Sequence, residues 1–374
     1  MYPNRELSNS FKIEDLNQKI YGAILFGLFF MLVSSALKVD KIALLVFISM
    51  LFFSRLNEPI VYNTKLYIFF FLTSYLVFIS MLNGVFNPMI FFPLFGIVFL
   101  NFFDKPRFLE ILYSVLSVYI VIAVLGGLAS YIFGSNIFVT SLRDKGLPFL
   151  RPLMGLSPTV QTFGSICVLW MLLKVHLRGL KFDFIFFLVA FAILLTFNRS
   201  TYLFFLLFLS LYYRWTLLVF FTFALGVYIA FFDIINLLIF NSSTLSSRSE
   251  LLQGFFISYW ENNTFIGYLF GRATNIYSSE VLRMVKWSHR HDIENIYAML
   301  LHAYGFIGLF LYMTSGVVLV VSFLIKQKFN IAIIFSFYFF FTQFFTQEIV
   351  SPIFFLVCGT LILMSNSKNA SSRN

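Results

Sequence analysis

The chain has 374 residues, of which 60% are hydrophobic, 21% aromatic and only 11% charged, and its mean hydropathy is +0.89. Soluble proteins carry about 25% charged residues, so this composition excludes a soluble enzyme, a disordered chain and a nucleic-acid-binding protein. A net charge of +10 would suggest nucleic acid in a soluble chain; in a membrane protein the location of the charges matters more than their sum.

Apolar segments follow one another along almost the whole chain. Residues 1–19 mix acidic and basic side chains without an apolar run or a cleavage site, which is typical of a cytoplasmic leader and not of a signal peptide. A transmembrane helix needs about 20 apolar residues, and continuous apolar runs favour α-helices over a β-barrel. We therefore predict an all-α polytopic membrane protein, a single integral membrane domain over 1–374 with about twelve spans. The predicted spans are 20–37, 42–54, 66–82, 89–103, 108–133, 159–175, 184–197, 201–213, 216–240, 295–325, 331–346 and 349–364.

The distribution of Lys and Arg predicts the orientation, because these residues concentrate in short cytoplasmic connections. With the N-terminus in the cytoplasm, the inner connections hold fifteen basic residues and the short outer ones hold three, Lys38, Lys41 and Arg199. Both termini are then inside, and the other eight basic residues lie in two periplasmic loops, 134–158 and 241–294. Long loops translocate regardless of charge, but these arginines also suit an anionic substrate, since a guanidinium binds phosphate bidentately.

The first long outer segment reads GSNIFVTSLRDKGLPFLRPLMGLSPTVQTFG over 134–164. Its prolines and glycines predict an irregular loop. Arg143 and Arg151 are candidate phosphate ligands in this loop, and the alternative is that they are solvated.

The sequence TFNRSTYLFFLL, 196–207, places Arg199 in a polar break between two short spans. Such breaks occur in membrane proteins where they line a cavity, and a charged residue there is a functional hypothesis by default. The alternative is that Arg199 extends to the lipid head groups.

The second long outer segment begins with a predicted amphipathic helix that could lie on the membrane surface. Ser246 or Ser247 is its expected N-cap, and Arg248 is expected at its N-terminal end, where free N–H groups favour phosphate. The apolar residues at helical spacing are Leu251, Leu252, Phe255, Phe256 and Tyr259.

The end of this segment contains polar side chains next to the predicted helix 295–325. His289, His291 and Asp292 have metal-like spacing, but too few further ligands follow for a metal site. Glu294 either accepts a proton from a sugar hydroxyl or stabilises the helix start electrostatically. His302 and Asn295 share a helical face, and a buried, hydrogen-bonded His302 is expected in preference to a catalytic one.

Taken in order, four motifs resemble the O-antigen ligase and polymerase superfamily, and the O-antigen polymerases in particular. They are RPLMGLSP at 151–158, FNRSTYLFF at 197–205, SSRSELLQGFFISYWENNTFIGYLFG at 246–271 and ENIYAMLLHAYGFIGLFLY at 294–312. Together with the topology, the resemblance covers about residues 134–325; each motif alone is weak, and their order is what makes the match specific.

The resemblance implies a GT-C-like fold and an inverting glycosyltransferase of the bacterial inner membrane. It implies polymerisation of undecaprenyl diphosphate-linked glycans at the periplasmic face, in polysaccharide and lipopolysaccharide biosynthesis, without a metal or other cofactor. Diphosphate-binding arginines would be Arg151, Arg199 and Arg248. In ligases a histidine commonly opens the fourth motif. Here Glu294 stands there and His291 three residues earlier, which favours polymerase over ligase and leaves both as candidate bases.

Further candidate substrate-binding residues are Arg143, Arg290, Asn295, His302, Tyr259 and Trp260, the last two by stacking on sugars. The expected partners are the lipid-linked oligosaccharide, membrane lipid, a chain-length regulator and a flippase, with no nucleic acid. Two alternatives stay open: an O-antigen ligase that transfers the glycan to lipid A core, and a lipid-linked oligosaccharide flippase or transporter.

Overall fold

The structure is a computed structural model. It describes residues 22–33, 39–54, 64–82, 90–101, 105–141, 150–213, 242–261, 263–271, 295–346 and 348–366, with the single residues 222, 226 and 229. This part of the chain is mostly helical, and its one β-type pairing is an isolated antiparallel bridge between Val139 and Leu153.

The helices in the described ranges are short to medium in length, and we number them in chain order. They are α1 (Gly22–Val33), α2 (Asp40–Ser54), α3 (Tyr67–Leu82, after a 3-10 turn Thr64–Leu66), α4 (Phe91–Leu100), α5 (Lys105–Phe133), α6 (Val160–Arg178), α7 (Phe184–Leu194), α8 (Arg199–Tyr212), α9 (Ser242–Glu261), α10 (Phe265–Phe270), α11 (Ile296–Ile325), α12 (Phe329–Ser336) and α13 (Pro352–Asn366). α12 continues as a π-helical turn, Phe337–Phe341, and a 3-10 turn, Thr342–Phe344; another 3-10 turn, Glu348–Val350, precedes α13.

Four of these helices are long and apolar enough to cross a membrane: Thr64–Leu82, Arg107–Phe133, Val160–Arg178 and Ile296–Ile325. The structure is thus compatible with the predicted all-α membrane protein. Every predicted span contains a helix except 216–240, which lies outside the described residues apart from three isolated positions. Twelve crossings stay a prediction, because the shorter apolar helices have only 10–17 residues. A helix needs about 20 residues to cross a bilayer.

The centre of the molecule is formed by α13 and α6. Every residue from Pro352 to Ser365 is buried, and so is every residue from Thr162 to Lys174. α13 packs against α4, α6, α12 and α2. Because a helix that is apolar on all sides is stable only when surrounded, these two segments form the core.

The peripheral helices present large apolar side chains outward. Phe70, Phe71 and Phe78 on α3 are exposed, as are Phe184 and Phe187 on α7. Apolar surface of this extent would be unfavourable in water, which agrees with lipid as the surrounding medium.

The helix α11 is broken at Gly305, which has φ 68° and ψ −170°. The end of α10 lies directly against this break. A Cβ atom at Gly271 would lie 2.3 Å from the Ala303 carbonyl carbon, and one at Gly305 would lie 2.3 Å from the Leu269 oxygen. Both glycines have positive φ, so the two backbones approach as only glycine permits. The Tyr75 hydroxyl donates to the Tyr304 carbonyl at 2.9 Å, next to the break.

Hydrogen bonds and one ion pair sort the helix ends into two groups. At the first, the lysine end, Lys65 donates to Ser322, Lys174 pairs with Asp183, and Lys326 donates to Asn366. At the second, the arginine end, the links are Leu153 to Leu195, Ser165 to Glu348 and Asn295 to Phe344. Every linked pair joins segments that the predicted topology assigns to the same side of the membrane.

Candidate functional site

Arg199 is the first residue of α8, so it lies at the edge of the predicted break and not inside it. The helix begins there because Asn198 is its N-cap. The Asn198 side-chain oxygen accepts hydrogen bonds from the Thr201 N–H at 3.1 Å and from the Ser200 hydroxyl at 2.6 Å. The residue before the cap, Phe197, has φ 46°, so a left-handed turn separates α7 from α8.

Arg151 lies in the irregular outer loop, as predicted, and this loop folds onto the α7–α8 turn. The Leu153 N–H donates to the Leu195 carbonyl at 2.8 Å, and the Tyr131 hydroxyl donates to the Arg151 carbonyl. The structure therefore brings the backbone segments of Arg151 and Arg199 together. The Nη1 atom of Arg151 is buried without a hydrogen-bond partner among the described residues.

The start of α6 lies against the start of α8. Thr159 and Thr162 form a capping box at the N-terminus of α6, which fixes where the helix begins. One turn further, Gly164 contacts Thr201 so closely that a Cβ atom would lie 2.2 Å from the Thr201 Oγ1. Arg199 therefore lies two residues before Thr201, at which α8 is in close contact with α6.

A carboxylate that sequence reasoning did not select lies next to this contact. Glu348 is only 4% exposed, and both of its oxygens accept the Ser165 hydroxyl, at 3.1 and 3.3 Å. Burial raises the pKa of Glu348 to about 7, although the nearby hydroxyls of Tyr338 and Ser165 act in the opposite direction. A signal was present in the sequence, because Glu348 is the only acidic residue after Glu294.

Asn295 joins the start of α11 to the segment that contains Glu348. Its Oδ1 accepts the Ala298 N–H at 3.0 Å as an N-cap, and its Nδ2 donates to the Phe344 carbonyl at 3.2 Å. The predicted helix start after Glu294 is confirmed. Asn295, predicted as a substrate-binding candidate, uses both ends of its amide in these contacts within the protein.

The predicted amphipathic helix is present as α9, and its apolar face packs on α11. Leu251, Phe255 and Tyr259 are buried with Ala298 and Leu301. α9 begins at Ser242, about one turn before the predicted cap, so Arg248 lies in its second turn and not at its N-terminal end. The predicted placement of Arg248 on free N–H groups is therefore wrong.

The aromatic residues of α9 differ in exposure. Tyr259 is fully buried, whereas Trp260 is 58% exposed. Stacking of a sugar on Tyr259 is thus contradicted, because its ring lies between Phe255 and Tyr268. Trp260 stays a candidate. His302 is buried, as expected, with its ring 5.8 Å from that of Phe255.

The remaining candidates lie outside the described residues. These are Arg143, Arg290, His291 and Glu294, and the same holds for the side chain of Arg248. The potential metal ligands His289 and Asp292 are also outside.

The arginine end is suited to an anion. The N-termini of α6, α8, α11 and α13 meet there through the contacts of Ser165, Thr201, Asn295 and Glu348. Helix N-termini present unpaired N–H groups and the positive end of the helix dipole, and together with arginine they favour phosphate groups.

Comparison with known proteins adds no relative: no family model matches the chain, and neither a curated protein nor a solved structure matches it.

Proposed function

We propose that this protein is a membrane glycosyltransferase of the O-antigen polymerase type, which joins undecaprenyl diphosphate-linked repeat units. The observation that supports this most directly is the hydrogen bond from Leu153 to Leu195. It joins the segments of Arg151 and Arg199, two of the residues to which the family resemblance assigns diphosphate binding.

The proposed chemistry uses these arginines on the leaving group. A diphosphate leaving group develops negative charge as the sugar C1–O bond breaks, and fixed cationic donors stabilise that charge. The acceptor hydroxyl attacks C1 from the opposite face, forms the new glycosidic bond with inversion, and gives its proton to a base. Glu294 and His291 are the proposed bases, and Arg248 is proposed as a third diphosphate ligand.

We also propose that the arginine end faces the periplasm of a bacterial inner membrane and that the lysine end faces the cytoplasm. The charge distribution supports this orientation, because Lys174, Lys65 and Lys326 lie at the lysine end and basic residues concentrate on the cytoplasmic side. A membrane-impermeant maleimide should label a cysteine placed at Ser278 in intact cells and should not label one placed at Ser371. The reverse labelling pattern would contradict the proposed location of the site.

Complementation and reconstitution test the function itself. The gene should restore long-chain surface polysaccharide in a polymerase-deficient strain that otherwise makes single-repeat caps. It should not restore capping in a ligase-deficient strain. The purified protein, given lipid-linked repeat units alone, should produce a ladder of longer lipid-linked chains. Transfer that occurs only when lipid A core is added would instead support the ligase.

A transporter is the second candidate, and buried Glu348 is the observation that favours it. Carboxylates enclosed by membrane helices commonly serve proton-coupled transport. Proteoliposomes separate the two functions: a transporter would move a fluorescent lipid-linked oligosaccharide across the bilayer without lengthening it, whereas a polymerase would lengthen it.

A further inference from the structure

Glu348 is held in an unusual environment for a carboxylate. Its two oxygens share the hydroxyl of Ser165, and within the described part of the chain it forms no ion pair. The titratable groups that face it there are Tyr338, on the turn that continues α12, and Cys358 of α13. A buried charge without a cation is costly, so fold stability does not explain why a glutamate occupies this position.

One line of contacts leads from Glu348 to Arg199. The carboxylate holds Ser165 on α6, and the neighbouring residue Gly164 packs against Thr201 on α8. The Thr201 N–H is in turn bound by Asn198, the cap of the helix that begins with Arg199. A shift of α6 at Ser165 would therefore be transmitted to the start of α8 by direct contact.

A second line of contacts leads from the same segment to α11. Phe344, four residues before Glu348, accepts the hydrogen bond from Asn295. The Tyr297 hydroxyl donates to the Phe340 carbonyl at 2.6 Å, and its ring lies 4.4 Å from that of Phe344. Glu348 thus lies where the starts of α6, α8 and α11 are joined.

We propose that Glu348 is a positioning residue that fixes α6 against α8 through Ser165 and thereby places Arg199 for the diphosphate of the donor. It does not touch the substrate, because its side chain is enclosed by the helices. The hydrogen bond from Ser165 needs only an acceptor oxygen at position 348, and it links α6 to the segment that precedes α13. This inference rests on the proposed function for the identity of the donor, but not for the contact itself.

The test uses three single variants and one double variant of the full-length protein. Ser165→Ala removes the donor, Glu348→Leu removes the acceptor, and Glu348→Gln keeps an acceptor oxygen of similar shape. Ser322→Ala is the matched control, because Ser322 is a buried serine that is hydrogen-bonded at the opposite, lysine end. Three quantities are measured for each: the midpoint of thermal unfolding in detergent, and the kcat and KM for lipid-linked repeat units.

The unfolding midpoints test the contact without reference to activity. Coupled residues give non-additive effects, so the Ser165→Ala/Glu348→Leu double variant should differ from the sum of its single variants. Additive midpoints would overturn the proposed contact. If the contact is confirmed and the wild-type protein elongates nothing, the proposed function fails and the positioning of helices by Glu348 stands.

The kinetic constants test the positioning of Arg199. In Ser165→Ala and Glu348→Leu the kcat/KM for the donor should fall about tenfold or more, because a displaced Arg199 stabilises the developing charge of the diphosphate less well and small misplacements are costly. Glu348→Gln and Ser322→Ala should both keep kcat and KM within about twofold of the wild-type values. A difference of that size is also produced by distant or neutral substitutions. Loss of kcat in Glu348→Gln with unchanged KM would overturn the proposal and make Glu348 the proton acceptor. Unchanged kcat/KM in Glu348→Leu would also overturn it.

Discussion

The two ends of the helix bundle treat buried charge in opposite ways. At the lysine end, Lys174 is 1% exposed, and its ammonium lies 2.6 Å from the Asp183 carboxylate. The rings of Trp170 and Phe186 lie 5.7 and 5.3 Å from the same ammonium. At the arginine end, Glu348 is almost as deeply buried, but in the described part of the chain the donor to its carboxylate is the hydroxyl of Ser165.

This difference is visible in the pKa values of the two carboxyl groups. Partial burial of Asp183 acts to raise its pKa, but hydrogen bonds from Lys174 and from the Phe186 N–H outweigh that effect and lower it. Burial of Glu348 outweighs the opposing effect of the hydrogen bond from Ser165, and its pKa is raised to about 7. The lysine end therefore stabilises its charges within the protein. At the arginine end, within the described residues, Glu348 has no cationic partner and the buried Nη1 of Arg151 has no hydrogen-bond partner, and such sites are candidates for function.

The largest expected effect is on activity, from Arg199. Arg199→Ala should lower polymer formation by about 10²–10³-fold, the usual loss for one donor to a developing negative charge. Arg199→Lys should restore activity only in part, because a lysine lacks the planar fork of arginine. Arg178→Ala, an exposed arginine at the end of α6 on the lysine side, is the control and should be near wild type. Long polymer made by Arg199→Ala, in cells with equal protein levels, would show that Arg199 does not bind the diphosphate.

The next effect concerns the packing of α10 on α11 beside the arginine end. Gly271→Ala should lower the unfolding midpoint strongly, since its Cβ would lie 2.3 Å from a backbone carbon that cannot move aside. Gly134→Ala is the control: Gly134 has φ +69° but nothing within 4 Å of its Cβ position, so it incurs only conformational strain of about 1–3 kcal/mol. Equal midpoints for the two variants would mean that the close backbone approach contributes nothing.

The sequence predicts the helices better than it predicts the site. Apolar runs locate α6, α8 and α11 closely, because an apolar composition is a local property of the sequence. The break at Gly305 and the contact of Glu348 with Ser165 are long-range, since they depend on which helices become neighbours. The prediction that Tyr259 stacks on a sugar is wrong for the same reason: the apolar spacing identifies the buried face of α9, but the sequence does not show that α11 covers it.

A smaller loss is expected when the ion pair of the lysine end is broken. Asp183→Asn keeps the cap of α7, because an asparagine also accepts the Phe186 N–H, but it leaves Lys174 buried without a counter-charge. Lys174→Met leaves Asp183 half exposed to solvent and fills the same space. Loss of one partner of a fully buried pair costs about 3–5 kcal/mol, and Asp183 is only partly buried, so less is expected here. Asp183→Asn should still lower the unfolding midpoint more than Lys174→Met, and the reverse order would show that packing outweighs charge at this end.

The smallest expected effect is a pH-dependent gain in stability when Glu348, at the arginine end, is replaced by glutamine. The pKa of Glu348 is about 7 in the folded protein against an ordinary value of 4.5, so the folded state binds more protons than the unfolded state between these values. Stability of the wild type therefore falls as the pH rises from about 4.5 to 7 and then levels off.

Glu348→Gln resembles the protonated side chain at every pH. Its unfolding midpoint should thus exceed that of the wild type at pH 8 and approach it at pH 5. Glu110→Gln, an exposed carboxylate on α5, should show no such change between the two pH values. A Glu348→Gln protein that is less stable than the wild type at pH 8 would mean that a cation compensates Glu348 in the folded protein, and the contrast between the two ends would then disappear.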